Sequence, residues 1–76
     1  MKWSEVFIIS FLEEYFNNDK LWIESVLSEL DPYVWIDDFD GARYYCENDV
    51  KKSLGSIYSD LEKSYTDKGY GELSIT

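Results

Sequence analysis

The chain begins with a helical pattern of apolar and polar residues. After Glu5, the polar positions recur at intervals of three and four residues, which places them on one narrow stripe of a helix. These polar positions are Ser10, Glu13, Glu14 and Asn17. Because Ser4 is a suitable N-cap, the pattern predicts a first helix over about residues 5–17.

The apolar face of this first predicted helix is wider than a small domain normally buries. Phe7 and Phe11 lie on that face. We therefore expect one of two arrangements: the rest of the chain covers the helix, or part of the face contacts a second molecule. In the second arrangement, Phe7 and Phe11 would form an oligomer interface, for example in a homodimer.

A second helix is predicted to follow a short break. Asn17, Asn18 and Asp19 interrupt the apolar pattern and supply an N-cap. The apolar stripe of the second helix consists of Ile23, Val26, Leu27 and Leu30. The helix should end at Asp31, because a residue that precedes proline avoids the helical conformation. The short connection predicts that the two helices form an antiparallel hairpin.

The pattern then changes to that of a β-hairpin. Residues 33–36 are aromatic or β-branched, as strands prefer. Residues 37–41 end in Asp40 and Gly41, which form a favourable turn dipeptide, and residues 42–46 supply the returning strand. Cys46 closes this strand, and we expect it to be a small buried apolar residue.

A third helix is predicted over about residues 50–66, with Asn48 or Asp49 as its N-cap. Its apolar stripe consists of Val50, Leu54, Ile57, Tyr58, Leu61 and Tyr65. Gly55 lies inside this stripe, where glycine costs about 1 kcal/mol relative to alanine. We expect that Gly55 allows a close contact with another helix.

The predicted order of elements is α-α-β-β-α, which indicates a small α+β fold. A chain of 76 residues has room for one domain, so we assign residues 1–76 to a single domain. Residues 69–76 are expected to form either a short third strand or a flexible tail. The hydrophobic fraction of 45% is typical of a folded chain rather than a disordered acidic segment.

The formal net charge of −9 limits the classes of partner. Nucleic acids and anionic membranes are disfavoured as direct ligands, because both attract basic surfaces. A basic protein is the natural electrostatic complement. No stretch approaches the length of a membrane span and no convincing signal peptide is present, so we expect a cytoplasmic protein.

The negative charge is concentrated around the predicted β-hairpin. Residues 29–49 contain seven carboxylates and one base, a net charge of −6. Turn and cap preferences account for some of these acids but not for all of them. The candidate partner-binding residues are the carboxylates and aromatic side chains of this region: Asp31, Tyr33, Trp35, Asp37, Asp38, Asp40, Tyr44, Glu47 and Asp49. Exposed Tyr and Trp side chains surrounded by carboxylates are typical of protein-binding hot spots.

The sequence offers little for catalysis or for cofactor binding. There is no histidine and Cys46 is the single cysteine, so the usual triads and zinc sites cannot be assembled. Asp38 and Asp40 match part of a calcium-loop pattern, but the loop would begin at Ile36, which cannot bind a metal. We expect no metal site beyond weak binding of Ca²⁺ or Mg²⁺ by Asp37, Asp38 and Asp40, no cofactor, and no enzymatic activity.

In size, acidity and aromatic content, the chain resembles small phage-encoded inhibitors of host defence, such as anti-CRISPR and antirestriction proteins. The resemblance implies that carboxylates stand in for DNA phosphates and occupy the basic nucleic-acid-binding surface of a partner. The resemblance also implies that the partner is a nucleic-acid-binding protein of the host and that binding takes place in the host cytoplasm. The alternatives are a structural or adaptor module that associates through the first helix, and an antitoxin or immunity protein.

Overall fold

A computed structural model describes residues 2–68, in which four helices pack against a three-stranded antiparallel sheet. The strands are β1 (Lys2–Ser4), β2 (Trp35–Ile36) and β3 (Arg43–Cys46). The helices are α1 (Glu5–Tyr15), α2 (Lys20–Leu30), α3 (Glu47–Leu54) and α4 (Ile57–Asp67), and a single 3₁₀ turn spans Asp31–Tyr33. The α+β class and the predicted sequence of the two helices and the hairpin are confirmed.

The two predicted N-caps of the helical hairpin are confirmed. The backbone N–H of Phe7 donates to Ser4 Oγ at 3.5 Å, and that of Leu21 donates to the Asp19 carboxylate at 3.1 Å. Between the helices, Asn17 and Asn18 both adopt positive φ angles, of 53° and 62°. Asparagine tolerates this left-handed conformation better than most residues, which allows the chain to reverse direction in a few residues.

Strand β1 was not predicted from the sequence. It pairs antiparallel with β3, so the strand order is β1-β3-β2. Trp3 lies opposite Tyr45 in this pairing, and both side chains are buried. A strand of three residues that runs directly into a helix has too short a pattern to be recognised, and it is stable here because β3 supplies its hydrogen-bonding partner.

The predicted third helix is wrong as a single helix. It is divided into α3 and α4 by Gly55, whose φ angle is +59°. Gly55 ends α3, and its backbone N–H donates to the Lys51 carbonyl at 2.9 Å. The predicted cap was also wrong, because Cys46 precedes the first turn of α3 without a side-chain capping bond. Gly55 therefore allows the chain to change direction between α3 and α4, and such changes commonly require a positive φ angle.

The hydrophobic core lies between the inner face of the sheet and the four helices. Its buried members are Trp3, Ile8, Phe11, Leu12, Ile23, Val26, Leu30, Tyr45, Val50, Leu54, Tyr58 and Leu61. Phe7 is half-buried against this core, where its ring stacks on Trp3 with the centroids 5.7 Å apart. Of the two arrangements considered for this face, coverage by the rest of the chain holds for Phe11, which is buried, whereas Phe7 stays partly exposed.

One further expectation is contradicted by the structure. Cys46 was expected to be buried, but its side chain is exposed, because it lies on the face of β3 opposite Tyr45. The alternatives for residues 69–76 lie outside the described residues. Within residues 2–68, no helix combines the length and apolar character needed to cross a membrane.

Candidate functional site

The turn of the β-hairpin is held by hydrogen bonds from its own aspartates. Asp37 Oδ1 accepts from the backbone N–H of Phe39 at 2.7 Å and from that of Asp40 at 3.4 Å. Asp40 Oδ1 accepts from the N–H of Ala42 at 2.8 Å. Backbone bonds from Gly41 to the Asp37 carbonyl and from Asp37 to the Ala42 carbonyl complete the turn, at 2.8 and 2.9 Å. The turn therefore has a defined shape before any partner arrives.

Phe39 projects from this turn into solvent. Its side chain is 98% exposed, more than any other large hydrophobic residue in the described part of the chain. Asp38 and Asp40 flank it, and both are exposed. Among residues 2–68, the Asp38 carboxylate has neither a hydrogen-bond partner nor an ion-pair partner. The tip of the hairpin thus presents an apolar ring between two carboxylates.

The outer face of the sheet carries an aromatic pair. Trp35 lies opposite Tyr44 in the pairing of β2 with β3, and the two rings lie 5.2 Å apart at an interplanar angle of 32°. Both side chains are half-buried. Lys2 Nζ lies above both rings and 3.6 Å from Asp37 Oδ2. Of the hairpin aromatics, Tyr45 therefore faces the core, whereas Trp35 and Tyr44 face outward.

An ion-pair network fixes the hairpin to α1. Glu5 Oε2 accepts from Arg43 Nε at 2.9 Å and from the Tyr45 hydroxyl at 3.0 Å. Arg43 Nη2 also donates to the Asp31 carboxylate at 3.1 Å. The hydrogen bond to Glu5 raises the pKa of Arg43, and burial together with the bond to Glu5 raises the pKa of Tyr45 to about 12. Asp31 is thus engaged within the protein, although its side chain remains exposed.

Tyr33 lies in a shallow groove between α2 and α3. Glu29, Asp49, Lys52 and Ser53 line the groove with it. The Ser53 hydroxyl donates to Glu29 at 3.4 Å, and the Tyr33 side chain is exposed. Asp49 lies in the first turn of α3, where a carboxylate interacts favourably with the positive end of the helix dipole. The lining of the groove therefore contains two carboxylates and one lysine.

Glu47 has an internal role in the first turn of α3. It accepts from the Tyr58 hydroxyl at 3.4 Å and pairs with Lys51 at 3.5 Å. Within residues 29–49, Asp31, Asp37 and Glu47 have basic partners among the described residues. Glu29, Asp38, Asp40 and Asp49 have none in the described part of the chain. Four carboxylates of the acidic segment thus remain without a neutralising base.

Seven of the nine predicted site residues occupy three parts of the surface, whereas Asp31 and Glu47 pair with Arg43 and Lys51. Asp38 and Asp40 lie at the hairpin tip, Trp35, Tyr44 and Asp37 lie at the outer face of the sheet, and Tyr33 and Asp49 lie in the α2–α3 groove. Sequence reasoning missed Phe39 and Ile36, the second of which is 56% exposed. The signal for Phe39 was present, because an aromatic residue between two aspartates of a tight turn has no core position to occupy.

The described carboxylates do not form a metal site. Among residues 2–68, no group of three His, Cys, Asp or Glu side chains is arranged to hold a metal ion. At the hairpin, Asp37 and Asp40 direct one oxygen each toward backbone N–H groups instead.

Comparison with known proteins gives no relative from which residue roles could be transferred. No family model matches the sequence, and no curated protein or solved structure shows significant similarity to it.

Proposed function

We propose that this protein is a non-enzymatic inhibitor that binds a basic, nucleic-acid-binding protein through the tip of its β-hairpin. Phe39 would enter an apolar recess of the partner, and the neighbouring carboxylates would occupy sites that normally bind phosphates. The observation that carries the proposal is the full exposure of Phe39 on a turn that is already ordered by hydrogen bonds.

The geometry of the turn favours a role as a binding anchor. A flexible loop loses conformational freedom on binding, whereas a turn held by Asp37 and Asp40 has already lost most of it. Burial of a phenylalanine side chain contributes about 1.5–3 kcal/mol. In a protein that has no binding partner, the same exposed ring would only increase the risk of aggregation.

The charge distribution supports a basic protein as the partner. The unneutralised carboxylates Glu29, Asp38, Asp40 and Asp49 lie in the segment that surrounds Phe39 and Tyr33. Such a surface attracts lysine and arginine side chains, increases the rate of encounter with a basic protein and repels nucleic acid. Binding should therefore weaken as the salt concentration rises.

The test is capture of partners from host lysate by tagged wild-type protein, by Phe39→Ala and by Asp38→Lys. Asp37 is left unchanged because its carboxylate orders the turn. We expect wild type to retain a nucleic-acid-binding protein that duplex DNA displaces, and we expect both variants to lose it. Glu13→Lys, at an exposed position on α1, is a control with the same change in charge.

Two results would contradict the proposal. One is equal capture by wild type, Phe39→Ala and Asp38→Lys. The other is a captured protein that duplex DNA does not displace, because competition for the nucleic-acid surface is the mechanism proposed.

A homodimer is a second candidate, and an exposed apolar surface on α2 favours it. Phe11 is buried, but Leu21 is 81% exposed and Trp22 stacks on Phe16 with the centroids 5.9 Å apart. These residues form an apolar corner at the start of α2. If they mediate association, light scattering at micromolar concentration should show a dimer for wild type and a monomer for Leu21→Glu; a wild-type monomer excludes this candidate.

A further inference from the structure

We propose that Trp35, Tyr44 and Asp37 form a cation-binding cage, which the protein's own Lys2 fills and which accepts a lysine or arginine side chain of the basic partner. The proposal rests on the proposed function and extends it, because it names the chemical group that the partner contributes. Lys2 then acts as an internal substitute that the partner's cation displaces.

The geometry of the cage is that of cation recognition. Lys2 Nζ lies 4.2 Å from the centroid of the Tyr44 ring and 4.9 Å from that of the Trp35 ring. Asp37 Oδ2 lies 3.6 Å from the same ammonium group. Faces of aromatic rings attract cations through their quadrupole, and a carboxylate adds a formal negative charge. These groups would serve any ammonium or guanidinium ion of similar size.

The two oxygens of Asp37 have separate tasks. Oδ1 accepts the backbone N–H groups of Phe39 and Asp40, and Oδ2 faces Lys2. The carboxylate is therefore held in place by the turn and not by the lysine. The cage should keep its shape when Lys2 leaves, as a binding site must.

Lys2 is suited to displacement. Its side chain is 37% exposed, and it reaches the cage from β1, a strand at the edge of the sheet. Exposed cation–π contacts of lysine are weak, because the ammonium group is strongly hydrated. An arginine guanidinium is planar, is less strongly hydrated and stacks better on aromatic faces. An arginine from a partner can therefore replace Lys2 at the same rings.

The cage also lies next to the proposed anchor. The Tyr44 hydroxyl donates to Asp40 at 3.4 Å, and Asp37 begins the turn that carries Phe39. A basic partner that buries Phe39 would bring its own cations close to the outer face of the sheet.

The cage can be tested without the partner. Butylguanidinium chloride is titrated into ¹⁵N-labelled wild-type protein, Lys2→Ala and the control Lys20→Ala, and the indole N–H signals are followed by NMR. We expect the Trp35 signal to shift, with an apparent Kd about two- to five-fold lower for Lys2→Ala than for wild type. Lys20→Ala should behave as wild type, and in the double variant Lys2→Ala/Tyr44→Leu, which lacks one ring of the cage, the Trp35 signal should not shift.

Any of three results would overturn the cage. The first is equal affinity of wild type and Lys2→Ala, and the second is absence of binding to both. The third is a shift of the Trp22 signal instead of the Trp35 signal. Circular dichroism checks that Lys2→Ala is folded, and Lys2→Gln, which keeps a longer uncharged side chain, replaces it if it is not. Since the probe is a small cation, failure here leaves the proposed function standing, and that function fails separately if Phe39→Ala still captures the partner.

Discussion

The indole of Trp3 donates a hydrogen bond from Nε1 to the hydroxyl oxygen of Tyr58 at 3.1 Å, and this contact joins β1 to α4. The two rings also meet edge to face, with their centroids 5.9 Å apart. The Tyr58 hydroxyl in turn donates to Glu47 at 3.4 Å. Burial raises the pKa of Tyr58 to about 12. A single buried hydroxyl therefore links β1, α3 and α4.

Removal of this hydroxyl should destabilise the domain. In Tyr58→Phe, the buried Trp3 N–H has no acceptor, which should cost about 1–3 kcal/mol in the free energy of unfolding. Urea denaturation measures the change. Tyr33→Phe removes a hydroxyl from an exposed side chain and should have little effect. Equal stability of the two variants would show that the Trp3–Tyr58 bond contributes nothing measurable.

The effect of Gly55→Ala on stability distinguishes the observed break between α3 and α4 from the single continuous helix that the sequence pattern predicts. Inside a continuous helix, Gly55→Ala would stabilise the protein by about 1 kcal/mol. At the observed φ of 59° and ψ of −127°, an alanine is strained, and we expect a loss of about 1–3 kcal/mol. A Cβ at this position meets no atom within 4 Å, so the loss would come from backbone strain. Thermal unfolding of Gly55→Ala, with Ser56→Ala as a neutral control, shows whether the substitution stabilises or destabilises the protein.

Stability should decrease at alkaline pH because of two buried tyrosines. The pKa values of Tyr45 and Tyr58 are raised from 10.0 to about 12, chiefly by burial. The folded state therefore favours the neutral phenols, and this stabilisation is complete below pH 10 and is lost as the pH rises toward 12. Urea denaturation at a series of pH values should show the decrease. Tyr45→Phe should make it shallower, and an unchanged slope would contradict the assignment.

The turn aspartate should titrate at unusually low pH. The N–H of Phe39 lowers the pKa of Asp37 below its ordinary value of 3.8, and Lys2 lowers it further. The stabilisation from this carboxylate is therefore complete above pH 3.8 and is lost as the pH falls through the lowered folded value. Carbon-13 NMR of the Asp37 carboxyl measures the midpoint. We expect Lys2→Ala to keep it below 3.8, because the backbone bond is the larger cause.

Local interactions explain why much of the fold could be predicted. The caps at Ser4 and Asp19 act on backbone N–H groups two or three residues away, so a short window of sequence contains both partners. The helical stripes and the Asp40-Gly41 turn are equally local. For the same reason, the segment that holds the excess negative charge and the candidate aromatics could be identified before the structure was known.

The sequence by itself therefore determined the α+β class, the helical hairpin, the β-hairpin and the acidic character of the region around it. Only the tertiary structure decided that Lys2–Ser4 forms a strand, that α3 and α4 are separate helices, that Phe11 is buried and that Cys46 is exposed. The pairing of Lys2–Ser4 with β3 and the burial of Phe11 depend on residues far apart in the chain, as when Trp3 lies opposite Tyr45. Periodicity reports the preference of a segment for a conformation, whereas burial and exposure are set by the elements that pack against it.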